Sequence, residues 1–228
     1  MTFDFATLAA AGGLVALVSG LLLVFAWMQF DHSHAAMRLS LSHLLGAGAI
    51  FLLAFGSHQH PMFPLLAQLL FVSAAFLALS SILSFENRDR PWALCVAGIL
   101  SIGGLVLLIA LGSHADLIRL LQLAIVASLF FISATVLWQG RHETLAARLP
   151  LAAVMFLHGL MTSVGLVEQL FRESLPSGVP TFSHWYGLIH IESMIYFIGT
   201  ALFLVAMLKE RSEARHKIAS LTDPLTGL

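Results

Sequence analysis

Long apolar runs, separated by short polar connectors, fill most of the chain. A helix needs about 20 mostly apolar residues to cross the hydrocarbon core of a bilayer. Seven segments meet that requirement, at about 6–28, 37–56, 62–84, 92–111, 117–138, 149–169 and 186–208. None shows the two-residue alternation of a barrel strand, and each is longer than a strand could use. The pattern predicts an all-α integral membrane bundle of seven transmembrane helices. Most connectors are short, so consecutive helices are expected to pack as antiparallel neighbours. After Leu208 the chain turns polar, and no Gly or Pro intervenes before Pro224. The last span is therefore expected to continue as a signalling helix beyond the bilayer.

Composition agrees with this picture. The chain is 59% hydrophobic and 10% charged, with a mean hydropathy of +0.92. An average soluble domain is about 25% charged. A net charge of −1 gives no basis for nucleic-acid binding, and the single cysteine, Cys95, excludes an internal disulfide framework. The basic residues set an orientation, because Lys and Arg in short loops stay on the cytoplasmic side. Arg38, Arg88, Arg90, Arg141, Arg148, Lys209, Arg211, Arg215 and Lys217 fall on one side, against Arg119 and Arg172 on the other. This predicts an N-out, C-in topology. Trp27, Trp92, Trp138 and Trp185 all lie at predicted span ends, where amphipathic rings favour the headgroup region. The first span has no positive n-region before it and is read as retained rather than cleaved.

Beyond the last span, Met207, Arg211, Ala214, Ile218 and Leu221 follow a 4-3-4-3 spacing, a heptad seam interrupted by one arginine. Leu204, Thr200, Phe197, Ser193 and His190 extend the same stripe backward. The final residues read Leu221-Thr-Asp-Pro-Leu-Thr-Gly-Leu228. This run resembles the opening of the GGDEF-type diguanylate cyclase domain, which typically begins L-T-D-x-L-T-G-L. The resemblance implies three parts: a sensor domain over 1–208, a coiled-coil-like cytoplasmic linker helix over 209–222, and the start of a GGDEF domain at 223–228. It also implies that the parent protein joins two GTP into cyclic di-GMP with Mg²⁺, its nucleotide and metal ligands lying after Leu228. Two GTP-loaded domains must meet in that reaction, so a homodimer held in a bacterial inner membrane is expected, with the seam as its control point.

The histidines are the candidate chemistry. There are eleven, and an ionisable group inside a bilayer is by default a functional candidate. His43 in span two and His158 in span six suggest axial ligation of a b-type haem, with Arg38 available to a propionate. His190 and Glu192 in span seven form a second candidate cofactor-binding pair, although two residues apart they do not share a helix face. His58, His60, His114 and His184 lie in the loops of one side, where imidazole and carboxylate suit a periplasmic transition metal. Each also has a plainer role, as an interhelical hydrogen bond inside the bundle or a solvated loop residue outside it. No lysine sits midway in the last span for a retinal Schiff base, and no P-loop, nucleophile elbow or metalloprotease motif is present, so the chain itself carries no catalytic site. Gly46, Gly48, Gly98, Gly103 and Gly104 are expected at close helix contacts. The favoured function is a membrane sensory input domain whose stimulus is haem or redox state, a metal ion or a lipophilic molecule such as a quinone. A b-type cytochrome-like electron carrier and a plain membrane anchor are the alternatives.

Overall fold

The computed structural model describes residues 5–56, 62–88, 91–112, 114–171 and 185–221. It contains seven long helices: α1 (Phe5–Gln29), α2 (His34–Phe51), α3 (Met62–Phe85), α4 (Pro91–Ala110), α5 (Ala115–Gln139), α6 (Arg148–Leu170) and α7 (Trp185–Leu221). All seven are long and apolar enough to cross a membrane, so the protein is a multi-pass membrane bundle. A π-helical turn, Leu52–Gly56, prolongs α2. The predicted spans match these helices, and α7 runs on without a break through the polar residues after Leu208.

Six helices form a closed ring in the order α1, α2, α3, α5, α6, α7, and α7 also reaches α2. Helix α4 stands outside it, against α3 and α5. Sequence neighbours are therefore not the closest neighbours everywhere, since α3 packs more extensively on α5 than on α4. Helix α4 has the highest mean hydropathy of the seven, 2.6, yet only 6% of its apolar window is buried. Its uniformly apolar surface suits contact with lipid on most sides. Gly103 and Gly104 meet nothing nearby, and Gly48 and Gly98 make only ordinary contacts. Of the five glycines expected at close contacts, Gly46 fits best, with Phe197 pressed against it.

Short polar side chains join the ring. Ser40 donates to the carbonyl of Gly20 at 2.9 Å, Ser42 to that of Ala74 at 2.7 Å, and Ser81 to that of Ala35 at 2.7 Å. Each links α2 to a neighbour, and such bonds in membrane bundles average about 0.6 kcal/mol. Gly20 makes the first possible: a Cβ there would come within 3.0 Å of Leu44, so only a bare backbone lets α1 approach α2 this closely.

At the end of the bundle rich in basic residues, charged groups fasten the start of the exit helix. Arg148, 4% exposed, pairs with Glu86 through one Nη and with Glu143 at 2.7 Å through the other. Arg211 of α7 grips the same Glu143, with Nε donating to Oε1 at 2.9 Å and Nη2 paired to Oε2. Its Nη1 donates to the carbonyl of Phe85 at 2.6 Å, and its guanidinium lies 3.8 Å from the centre of the Phe85 ring. The backbone N–H of Ala146 donates to Glu210 at 2.7 Å. The hydrogen bonds from Arg211, with the charges of Arg211 and Arg148, hold the Glu143 carboxyl below its ordinary value against the opposing effect of partial burial.

This latch changes the reading of the seam. Phe197, Thr200, Leu204 and Met207 are buried within the protomer, and Arg211 is committed to Glu143 and Phe85 of the same chain. The stripe as far as Arg211 is thus the face by which α7 packs into its own bundle, not a surface offered to a second copy. Ala214 is exposed. The side chains of Ile218 and Leu221, and residues 222–228, lie outside the described residues.

Candidate functional site

Midway along α7, Glu192, Tyr196 and Thr200 follow one another at intervals of four and so share one face. All three are buried, and two of them engage the intramembrane histidines. His43 of α2 is fully enclosed, and its Nε2 lies 3.1 Å from the Thr200 hydroxyl. That hydroxyl donates its own proton to the carbonyl of Tyr196 at 2.6 Å. Nε2 of His43 is therefore the donor to Thr200, which makes Nδ1 a bare acceptor, and Nδ1 has no partner. His158 of α6 places Nδ1 2.7 Å from Oε2 of Glu192. One proton is shared between this nitrogen and the carboxyl oxygen. Glu192 thereby has the partner that a buried carboxyl requires, while its Oε1 has none.

Tyr196 stands between the two histidines. Its ring stacks on His158, with centroids 4.3 Å apart and planes 24° from parallel, and is tilted against His43 at 5.9 Å. Phe130 of α5 meets both His158 and Tyr196 edge-on, at 4.5 and 5.2 Å. The Tyr196 hydroxyl lies towards Ser42 but not in hydrogen-bonding geometry with it or with any other group of the protein.

A cavity of about 340 Å³ opens beside this cluster. It is bounded by Ser42, Gly46, Ile50 and Leu53 from α2 and its π-turn, by Pro64, Gln68, Phe71, Ala74 and Ala75 from α3, and by Arg119, Gln122, Leu123, Val126 and Phe130 from α5. His158 and Thr162 of α6 and Ile189, His190, Ser193, Tyr196 and Phe197 of α7 line the rest. The volume falls in the range of small-molecule sites, as does the combination of apolar walls with a few polar groups. A π-turn in the wall is a further feature common at functional sites.

The sequence-predicted residues separate into three sets. His43, His158 and Glu192 join one cluster, and His190 lines the adjoining cavity. The expected divergence of His190 and Glu192 holds: Glu192 turns to His158 and His190 faces the cavity. The bis-histidine haem arrangement does not fit. Helices α2 and α6 are not ring neighbours, α7 packs against both, and Tyr196 occupies the space between the imidazoles. Arg38 instead donates to the carbonyl of Ser80 at 3.1 Å, tying α2 to α3.

Of the loop histidines, His114 is exposed just before α5, while His58, His60 and His184 lie outside the described residues. Asp116 accepts from Gln169 at 2.8 Å. Among the described residues, no three His, Cys, Asp or Glu side chains gather closely enough to hold a metal ion. Sequence reasoning missed Tyr196, although its spacing of four from both Glu192 and Thr200 marks it. It also took Arg148 only as a topology charge. No protein-family model, curated protein or solved structure matches the chain.

Proposed function

We propose that this chain is the membrane-embedded sensory input region of a diguanylate cyclase, held in a bacterial inner membrane with its C-terminal end in the cytoplasm. The observation that carries the reading is the continuity of α7. One unbroken helix of 37 residues, about 55 Å long, supplies five residues of the cavity wall and then the latch arginine. It ends at Leu221, the first residue of the run that resembles a GGDEF opening. A change in the tilt or rotation of α7 at the cavity is transmitted along a rigid element to the point where the output domain is expected. The Arg211–Glu143 contact is where such movement is resisted or released. In this reading the cyclase works as a homodimer, because two bound GTP molecules have to be brought together, and Mg²⁺ and GTP belong to that downstream domain.

The test is to express the complete reading frame that contains this chain and to supply its membranes with GTP and Mg²⁺. Formation of cyclic di-GMP is the expected result. A reading frame without a G-G-[DE]-E-F run, or membranes that form no cyclic di-GMP while the protein is present and folded, would overturn the proposal.

A further inference from the structure

The cavity beside α7 has a polarity pattern that selects among ligands. Its walls are mostly apolar and rich in rings, with Phe71, Phe130, Tyr196 and Phe197 all contributing. Two buried polar atoms on the wall have no hydrogen-bond partner in the protein, the Tyr196 hydroxyl and Oε1 of Gln68. Tyr196 itself is 3% exposed. Buried polar atoms are nearly always paired, so each unpaired one calls for an explanation. Both residues line the same space, so a modest side-chain rotation would offer both atoms to a ligand there.

Measured from the helix starts, Gln68 lies six residues into α3 and Tyr196 eleven into α7. Along the helix axes this places them roughly 9 and 16 Å from the same end, a depth difference of about 7 Å. A ligand that meets both side chains therefore needs polar atoms separated along its length. The Tyr196 hydroxyl can donate or accept. The Gln68 carboxamide accepts through its oxygen and, rotated, donates through its nitrogen, so it can meet either a hydroxyl or a carbonyl.

We infer that the cavity is a binding site for an uncharged, planar lipophile with oxygens at both ends of its ring, the chemistry of a quinone or quinol headgroup. The inference rests on the sensory reading of this site, since it names the molecule that would be sensed. A fatty acid fits less well, because its single carboxylate cannot pair with both atoms, and whichever lies against its tail stays unpaired in an apolar environment.

The test is direct binding, so it is read without any cyclase output. Detergent-purified protein is titrated calorimetrically with decyl-substituted benzoquinone and, separately, with dodecanoic acid. Saturable binding of the quinone is expected, with dodecanoic acid at least tenfold weaker. Tyr196→Phe keeps the ring stacked on His158 and removes only the hydroxyl; it should weaken quinone binding about three- to tenfold, the loss of one hydrogen bond. Gln68→Leu should act similarly, and Val126→Phe, which fills the cavity, should abolish binding. Monodisperse elution and an unchanged helical circular dichroism spectrum show that each variant is folded. Quinone binding that is absent, or unchanged in both Tyr196→Phe and Val126→Phe, overturns the inference, as does tighter binding of dodecanoic acid. Failure here with cyclic di-GMP still produced would remove the ligand class and leave the cyclase assignment intact. Saturable binding by a protein whose reading frame lacks a cyclase would do the reverse.

Discussion

The bundle treats its buried charge in two different ways. At the basic end, Arg148 and Arg211 share Glu86, Glu143 and the Phe85 carbonyl so completely that only Nε of Arg148 remains without a partner. Around Tyr196 and the cavity beside it, the polar groups are buried but left incomplete: His43 Nδ1, Glu192 Oε1, Gln68 Oε1 and the Tyr196 hydroxyl are all unpaired. A fully connected network fixes one geometry, whereas a partly connected one beside a cavity leaves bonding capacity for something else. The same helix runs through both, so α7 joins a region suited to respond to a region suited to hold.

The largest effect that would break this contrast lies in the latch. Arg148→Met should leave Glu86 buried without a counter-charge, at a cost of about 3–5 kcal/mol. Thermal unfolding in detergent should show a markedly lower Tm, and a variant as stable as the parent would mean that the network is not what fastens this end. Glu192→Leu should cost less, about 1–3 kcal/mol for the His158 Nδ1 left unpaired. Adding His158→Phe should recover most of that loss, because an apolar replacement for the whole pair needs no partner. A double variant weaker than the single one would show that the pair contributes in its own right.

The smallest effect is acid sensitivity at Glu143. Its folded-state value lies below the ordinary 4.5. Its contribution is therefore present above the unfolded-state value and is lost as pH falls through the lower folded-state value. Subtracting the Tm of Glu143→Gln from that of the parent should give a difference that is constant between neutral pH and about pH 5 and shrinks at lower pH. A difference that grew as the solution became more acidic would contradict the Arg211–Glu143 geometry. Glu143 is half-exposed, so the step should be modest.

The helices were legible because a membrane span has to be continuously apolar, and hydropathy reports that directly. The peripheral place of α4 was not, because its lipid-facing and bundle-facing residues are equally apolar and carry no stripe to orient it. His43, His158 and Glu192 stood out in the sequence because polar groups are costly at that depth. Which of them meet depends on ring order, and ring order sets α7 between α2 and α6. Tyr196 was overlooked because a tyrosine in an apolar run reads as another hydrophobic residue until its hydroxyl is traced. Arg211 looked like a defect in a dimer seam, since spacing alone cannot tell an intermolecular face from the face a helix turns to its own bundle.

Coupling between the cavity and the far end of α7 is the central claim of the proposed function. Val126→Phe fills the cavity from α5 and touches neither α7's sequence nor the latch. The complete protein carrying this change should make cyclic di-GMP at a rate shifted several-fold from the parent, at equal protein in the membrane. An unchanged rate, from a variant shown to have lost binding in the cavity, would contradict the claim that this site governs the output.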